Sequence, residues 1–289
     1  MRRLTVLMPF HTPFYAPLAA GVKLGHFRDE GLDVSTMPAA AFGKGTIPAL
    51  LDGDIEISLG GLMRSFELAD RSGPIVVHFA EVCSRNGFFL LSREPRPAFQ
   101  WSDLIGKTVL WKHGVDSGRV RIERERPAPD AVAAFRAGHG DFLEQPQPVV
   151  ERLITEGVGH LVASMGEATG PVPFTSYMTT PEFLTREPDV MLRFTRGVYR
   201  TQRWLAQHGA PEIAAAIAPS FRDIEPEILE ASVARYLGQG TWARDPFLRR
   251  EGYDYLQEIL LRGGFITRGE RYEVLVDTGL ARQVMAERL

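Results

Sequence analysis

Short apolar runs alternate with segments of helical periodicity through the first third of the chain. Runs of four to eight apolar residues bounded by turn residues favour strands, whereas apolar positions recurring every three to four residues favour helices. The pattern predicts strands at 4–8, 32–37, 55–59 and 75–82, with helices at 15–24, 46–51 and 62–70. Strands that alternate with helices in this way form a largely parallel sheet with right-handed crossovers.

The alternation restarts near residue 88 and then gives way to helices. Strands are predicted at 88–91, 108–111, 120–123 and 160–164, with helices at 130–137 and 149–156. After Pro188 the spacing is helical throughout, with glycine or proline between segments at 190–208, 211–217, 226–237 and 253–262. We therefore expect two successive α/β units followed by a helical wrap.

Composition limits the classes of function. The chain has 289 residues, 44% of them hydrophobic and 24% charged, which is enough for a full core in two lobes or one large domain. The net charge of -3 gives no basic field for nucleic acid. The single cysteine, Cys83, excludes an internal disulfide and a cysteine-cluster metal site.

The first ten residues superficially resemble an export signal. A basic start, Met1-Arg2-Arg3, precedes an apolar run, but Pro9, His11 and Pro13 interrupt that run too early. No window reaches the roughly 18 consecutive apolar residues of a membrane helix. We expect a chain that is not embedded in a membrane, cytoplasmic as written and periplasmic if it is a trimmed mature form.

A set of motifs carries a family resemblance. In chain order they are Phe14-Tyr15-Ala16-Pro17, then residues 25–34 (GHFRDEGLDV), Gly43-Lys44-Gly45-Thr46, residues 50–57 (LLDGDIEI) with Gly60-Gly61, residues 103–109 (DLIGKTV), 133–141 (AAFRAGHGD) and 275–281 (LVDTGLA). Their order and spacing resemble the type II solute-binding proteins of the sulfonate and thiamine-precursor group. The resemblance extends over nearly the whole chain.

The resemblance implies an α/β fold of the type II periplasmic-binding-protein kind, with two α/β lobes around a central cleft and a C-terminal helical wrap. One lobe comprises residues 1–82 plus 173–289, and the other comprises residues 83–172. Hinge motion that closes the lobes around a small molecule is the expected behaviour.

One departure from the family concerns the second lobe. Relatives place a long helix after the strand that matches 108–111, whereas here only residues 112–119 precede the next strand. A parallel crossover usually needs a dozen or more residues, so we expect this segment to be too short for one. Either the second lobe is reduced and its cleft more open, or residues are absent from the sequence.

The implied function is that of a solute-binding protein. It would be the substrate-binding component of an ABC-type importer for an aromatic or heteroaromatic, sulfonate or carboxylate anion, with a small-molecule ligand and an ABC permease as partners and no cofactor or metal. The alternative is a cytoplasmic enzyme on the same scaffold, either a decarboxylase or lyase or a protein similar to thiamine pyrimidine synthase.

The candidate ligand-binding residues of the first lobe follow strands or open helices. Aromatic rings can stack on a planar solute, or instead anchor the first helix in the core. A glycine turn before a helix suits an anion but is also an ordinary turn, and an arginine can pair bidentately with an anion or simply lie at the surface. The candidates are His11, Thr12, Phe14, Tyr15, Gly43, Lys44, Gly45, Thr46, Gly60, Gly61 and Arg64.

The second lobe supplies fewer candidates. Trp111, Lys112 and His113 follow a predicted strand and would form the facing wall, or be an ordinary strand end. Gln145 matches the hinge region that this family places against the ligand, and Glu167 follows another predicted strand.

Enzymatic alternatives are constrained by the side chains present. Desulfinase-type relatives use a cysteine after the first strand, where this chain has His11 and Thr12, and the iron motif of the thiamine pyrimidine synthase type needs several cysteines. A decarboxylase or lyase with His11 as acid or base and Arg64 holding a carboxylate remains open. The residues 163–166 lack the first glycine of a nucleophile elbow.

Overall fold

The computed structural model describes residues 1–105, 107–110, 121–123 and 127–287. Within these residues the strands are β1 (Arg2–Met8), β2 (Leu32–Pro38), β3 (Ile57–Gly60), β4 (Val77–Cys83), β5 (Phe88–Ser92), β6 (Thr108–Leu110), β7 (Arg121–Glu123), β8 (Phe142–Pro146), β9 (His160–Ser164) and β10 (Thr175–Thr179). They form two five-stranded sheets.

The helices of the same residues mostly follow the strands. The first eight are α1 (Ala16–Lys23), α2 (His26–Asp29), α3 (Ala39–Phe42), α4 (Thr46–Leu51), α5 (Leu62–Asp70), α6 (Ala128–Arg136), α7 (Val149–Thr155) and α8 (Met165–Thr169). The remainder are α9 (Pro181–Arg186), α10 (Pro188–Leu205), α11 (Ala210–Ile217), α12 (Pro226–Gln239), α13 (Arg250–Arg262), α14 (Tyr272–Leu275) and α15 (Gly279–Ala286). The predicted α/β fold with a C-terminal helical wrap is confirmed.

The first sheet has the strand order β2-β1-β3-β10-β4. Strand β1 pairs in parallel with β2 and β3, as the alternating pattern predicts. Strand β10 lies antiparallel between β3 and β4, because the chain enters the sheet from the opposite direction on its return from the second sheet. Parallel pairing is therefore confirmed for the first three strands, and the sheet as a whole is mixed.

The second sheet has the order β7-β6-β8-β5-β9. Strand β6 pairs in parallel with β7 and β8, whereas β5 runs antiparallel to β8 and β9. The expectation that the chain after β6 is too short for a parallel crossover is wrong. Ten residues, 111–120, separate β6 from β7 and lie outside the described residues. Because ten residues can span up to about 33 Å and a three-residue strand is only about 10 Å long, the chain can return to the start of its neighbour.

Two crossover segments join the sheets side by side. The first crossover runs from the end of β4 to the start of β5, and the second runs from the end of α8 to the start of β10. They are hydrogen-bonded to each other, since Val172 N donates to Ser84 O at 2.9 Å and Phe174 N donates to Cys83 O at 2.9 Å. A segment after α12 runs along the other side of the first crossover, where Ser84 N donates to Thr241 O at 2.8 Å.

The apolar core is continuous between the two sheets. One cluster contains Val6 and Phe79 of the first sheet and Phe89 of the second. Tyr236 of α12 connects them, because its ring centroid lies 5.6 Å from that of Phe14 and 6.0 Å from that of Phe89. The C-terminal wrap thus packs against both sheets.

Candidate functional site

The carboxyl ends of the strands of both sheets adjoin at the crossovers. In the first sheet, β1 and β3 end at Met8 and Gly60; in the second, β8 and β9 end at Pro146 and Ser164. The rings of Phe88 and Phe174, one at the end of each crossover, meet edge to face at 6.3 Å. Loops at the carboxyl ends of strands are where open α/β sheets bind small ligands, so the predicted site lies in this region.

Two side chains of the loop after β1, Thr12 and His11, contact different parts of the protein. Thr12 is buried, and its Oγ1 donates to the carbonyl oxygen of Gln147 at 2.7 Å. His11 is exposed, stacks on Phe221 with 4.6 Å between ring centroids, and has its Nε2 3.5 Å from Oδ1 of Asp223. Thr12 therefore contacts the second sheet's loop, whereas His11 faces the C-terminal wrap.

Phe14 and Tyr15 lie in the core. Phe14 is 1% exposed and Tyr15 is 4% exposed. Burial raises the pKa of the Tyr15 hydroxyl well above its usual value. Two alternatives were open for these rings, stacking on a solute or anchoring the first helix in the core. Their burial matches the second alternative. The backbone of Gly87 covers the Phe14 ring so closely that a Cβ there would lie 2.2 Å from Phe14 Cε2.

The glycine loop before α4 holds its lysine in local ion pairs. Lys44 Nζ lies 2.6 Å from Oδ2 of Asp52 and 2.5 Å from Oδ2 of Asp54, and these carboxylates raise the pKa of Lys44. Gly43 has a left-handed φ of +80° at the end of α3, and Gly45 precedes α4. The loop is thus a turn that the ion pairs of Lys44 with Asp52 and Asp54 stabilise.

The two glycines after β3 allow close packing. A Cβ on Gly60 would lie 2.3 Å from Met178 Cε, and one on Gly61 would lie 3.1 Å from the carbonyl oxygen of Phe174. The second crossover and β10 can therefore approach the end of β3. This close approach explains the glycine pair without a ligand.

Arg64 lines a surface depression together with Gly45 and Thr46 of the glycine loop. The depression has a volume of about 340 Å³, and its lining includes Gly45, Thr46, Arg64, Glu67 and Arg71. Arg64 Nη1 and Arg71 Nη2 each lie 2.8 Å from a different oxygen of the Glu67 carboxylate. Two guanidinium groups share one carboxylate, so this trio carries a net positive charge that suits an anion.

Sequence reasoning missed Arg71, although a signal was present. Arg64, Glu67 and Arg71 are three and four residues apart, a spacing that places all three on one face of a helix. The arginine ending this series lies just beyond α5.

The candidates of the second sheet lie apart from this depression. Trp111, Lys112 and His113 lie outside the described residues. Gln145 is buried in β8, and Glu167 is exposed in the first turn of α8. Glu167 and Ser164 line a cavity of about 650 Å³ between β9 and α12.

A buried polar network fixes the loop after β8, and sequence reasoning did not find it. The backbone N–H of Gln147 donates to Tyr236 Oη at 3.1 Å, and Gln147 Oε1 accepts from Glu151 N at 3.1 Å. Arg235 Nε donates to Glu151 Oε1. The partners from α12 lie more than 80 positions away along the chain, so no local motif reveals them.

The thiol of Cys83 and the imidazole of His78 are both enclosed in the interior of the protein. Cys83 is fully buried, which raises the pKa of its thiol, so it is not a reactive thiolate at neutral pH. His78 is also fully buried between the hydroxyls of Ser65 at 2.7 Å and Ser176 at 2.6 Å, and burial lowers its pKa to about 3.

Metal-ligand clusters and membrane-spanning helices are both absent from the part of the chain that the structure describes. No group of three or more His, Cys, Asp or Glu side chains there is arranged to hold a metal ion. None of the helices in those residues combines the length and apolar character needed to cross a bilayer.

Comparison with solved structures identifies the fold. The alkanesulfonate-binding protein SsuA from Xanthomonas axonopodis pv. citri, bound to MOPS, matches with a TM-score of 0.71 and 16% identity, over 96% of this chain and 99% of that chain. The desulfurization enzyme DSZB matches with a TM-score of 0.72 and 13% identity, over 99% of both chains. Both a binding protein and an enzyme therefore share this fold.

Comparison of sequences identifies the family. Residues 98–219 match the model of the NMT1-like family. A Bacillus subtilis (strain 168) protein with the name "Putative binding protein YtlA" is 31% identical over 296 residues, which cover 96% of this chain and 88% of that protein. Since this identity extends over nearly all of both sequences, the chain belongs to the same family as YtlA of Bacillus subtilis and has the periplasmic-binding-protein fold.

Proposed function

We propose that the protein is the solute-binding component of an ABC-type importer and captures a small anion, aromatic or heteroaromatic or with a sulfonate or carboxylate group. The solute lies where the carboxyl edges of the two sheets adjoin. The lobes, residues 1–82 plus 173–289 and residues 83–172, close over it by hinge motion at the crossovers. Membership in the YtlA family of binding proteins supports the capture role.

The observation that carries the proposal is the placement of the strand ends. The loops after β1 and β8 touch through Thr12 and Gln147, and the two crossovers run side by side behind them. Two adjacent crossovers that run in opposite directions form a compact hinge, because a change in a few backbone torsions there reorients one whole sheet relative to the other.

The Arg64 depression supports a negatively charged solute. It is lined by the start of α4 and by the face of α5 that runs from Arg64 to Arg71, and Arg64 is in the first turn after the end of β3. Its two arginines share one carboxylate, which leaves guanidinium donors for an anionic group at its rim. The sulfonate-binding role in the name of the Xanthomonas protein supports the same class of solute for this chain.

Thermal unfolding in the presence of matched solute pairs tests the proposal. A ligand that binds only the folded state raises the melting temperature by mass action. Benzenesulfonate and benzoate should raise it, whereas benzenesulfonamide and benzamide, which have the same rings without the charge, should not. Equal shifts for charged and neutral partners would overturn the anion assignment. No shift across a wider panel of sulfonates, aromatic carboxylates, pyrimidines and flavin fragments would overturn solute capture.

A second candidate is an enzyme on the same scaffold, a decarboxylase or lyase. It is supported by the exposed imidazole of His11, which has Asp223 beside it at 3.5 Å and can exchange protons with a bound substrate. The buried Cys83 gives no support to thiol chemistry. Each stabilising solute should be incubated with the protein for hours and followed by chromatography. An unchanged solute supports capture, whereas conversion that is lost in His11→Gln supports the enzyme.

A further inference from the structure

A second cavity lies beside the crossovers, and its lining contains none of the residues predicted for the solute site. It has a volume of about 640 Å³. Its lining comes from the end of β4, from both crossovers through Ser84 and residues 171–173, from the segment between α12 and α13, and from the start of α13. The cavity is large enough for a small organic molecule.

The carboxyl group of Glu81 is the buried polar group of this cavity. Glu81 is only 4% exposed and lines the cavity from β4. Its Oε2 lies 3.9 Å from Arg249 Nη1, which is too far for a hydrogen bond. That guanidinium instead donates to both oxygens of Asp245, at 3.1 Å and 2.7 Å. Glu81 is thus left without a hydrogen-bond donor to its carboxyl oxygens among the described residues.

A buried carboxyl group without a donor is costly when it is charged, and it calls for a proton or a cationic partner. Burial raises the pKa of Glu81 to about 8, with a smaller contribution in the same direction from Asp245 and an opposing one from Arg249. A pKa near 8 means that the protonated form of Glu81 predominates at pH 7 unless a cation lies beside it.

The walls of the cavity are aromatic and apolar. Trp242 and Tyr255 line it together with Pro171 and Pro173. The indole N–H of Trp242 already donates to the carbonyl oxygen of Phe14 at 3.0 Å, so this side chain offers the cavity ring surface rather than a donor. Aromatic faces attract organic cations through their quadrupoles.

The charges at the rim do not oppose a cation. Arg244 and Glu251 also line the cavity, and both side chains are exposed. Their opposite charges balance, and Arg249 is neutralised by Asp245. Glu81 remains as the carboxyl group available to a ligand.

We propose that this cavity binds a small primary amine with an aromatic body. The ammonium group donates to the carboxylate of Glu81, and the ring lies against Trp242 and Tyr255. This site goes beyond solute capture at the strand ends, because it takes a ligand of the opposite charge at a different place in the fold.

Isothermal titration calorimetry with two matched probes tests the site. Phenethylamine and 3-phenylpropionate have similar aromatic bodies and opposite charges. Phenethylamine should bind, and Glu81→Gln, which keeps the shape and removes the charge, should weaken that binding at least tenfold. Equal binding of phenethylamine to Glu81→Gln and to the unchanged protein, or equally tight binding of 3-phenylpropionate in competition with it, would overturn the proposal.

Proton release gives an independent readout. Because an ammonium ligand favours the ionised carboxyl group, binding at about pH 7 should release a proton from Glu81. The apparent heat should then differ between phosphate and Tris buffers, and the affinity should rise from about pH 7 to pH 9. A heat that is independent of the buffer at pH 7 would contradict the role of Glu81.

Two further measurements keep the test decisive. If Glu81→Gln does not fold, Tyr255→Ala at a partly exposed position should weaken phenethylamine binding at least threefold, and unchanged affinity would overturn the aromatic wall. Binding of benzenesulfonate should be the same in Tyr255→Ala and in the unchanged protein. If Tyr255→Ala weakened the binding of both ligands, the two sites would not be separate. If benzenesulfonate failed to bind even to the unchanged protein, only the proposed anion capture would be overturned.

Discussion

The hydroxyl group of Thr12 donates a 2.7 Å hydrogen bond to the backbone carbonyl of Gln147, across 135 positions of sequence. Both residues are buried, and the bond joins the loop after β1 to the loop after β8. A buried polar group that is left without its partner destabilises the folded state, so this bond is expected to stabilise the junction between the two sheets.

Thr12→Val removes the hydroxyl group and keeps the shape of the side chain. We expect it to lower the free energy of unfolding by about 1–3 kcal/mol, since the Gln147 carbonyl loses its donor. Urea denaturation measures this change. Thr12→Ser, which retains the hydroxyl group, is the control and should lose less. A valine variant as stable as the unchanged protein would show that the bond contributes nothing.

Gly87→Ala places a methyl group where the Phe14 ring already lies, at 2.2 Å from Cε2. Phe14 is enclosed by the core and cannot move aside freely, so we expect a loss of about 1–3 kcal/mol in unfolding free energy. Gly238→Ala in α12 is the matched control, because an added Cβ there meets no atom within 4 Å. That variant should be unchanged or more stable by up to about 1 kcal/mol. Equal effects of the two substitutions would contradict the close packing.

His78 predicts a loss of stability in acid. Its pKa is lowered by burial from 6.5 to about 3, so below pH 6.5 the unfolded chain binds a proton that the folded protein does not. The free energy of unfolding should therefore fall as the pH drops from about 6.5 towards 3, by up to about 1.4 kcal/mol per pH unit. Urea denaturation at several pH values measures the slope, and His78→Gln should lose this contribution. In nuclear magnetic resonance, a His78 ring that titrates near pH 6.5 would refute the argument.

Cys83 should be inert towards thiol reagents in the folded protein. Its side chain is fully buried, and burial raises the pKa of the thiol, so neither access nor thiolate is available. Dithionitrobenzoate at pH 8 should label it only after urea is added. Rapid stoichiometric labelling without urea would contradict this and would reopen thiol chemistry for the enzyme candidate.

Arg64→Ala tests the anion depression directly. With a stabilising sulfonate or carboxylate as the ligand, we expect a loss of about 1.5–3 kcal/mol in binding free energy, as for other charged hydrogen bonds. Calorimetry measures the affinity. Arg262→Ala is the control, since this arginine is exposed on α13 and pairs only with Glu258 among the described residues. Unchanged affinity in Arg64→Ala would remove Arg64 from the site.

The period of the apolar positions predicted most of the elements. A helix such as α10 is evident because Val190, Phe194 and Val198 recur at four-residue intervals, and each is buried. The insertion of β10 between β3 and β4 was not evident from that period, because strand order depends on which hydrogen-bonding edge is free when the chain returns. The parallel pair β6 and β7 was missed for a related reason, since the typical crossover length does not apply to strands of three residues.

The candidate site was predicted less completely than the fold. The sequence placed Thr12, Gly61 and Arg64 after strands or in the first turn of a helix, and these positions follow from local order. It did not reveal that Phe14 lies under Gly87, or that Lys44 is held by Asp52 and Asp54. Burial and ion pairing are properties of the assembled chain, and side chains with identical local spacing can be exposed or enclosed.

The amino-acid sequence alone determined the α/β class, the helical C-terminal third and the family, because hydrophobic period and motif order act over short distances along the chain. Only the tertiary structure decided which polar groups were buried without a donor. Glu81 lies in an apolar strand, so its burial is readable from its neighbours along the chain, but the absence of a hydrogen-bond donor to its carboxyl group is not. Its environment arises from segments more than 80 residues away in the sequence, which pack beside β4 and form the cavity that its carboxyl group lines.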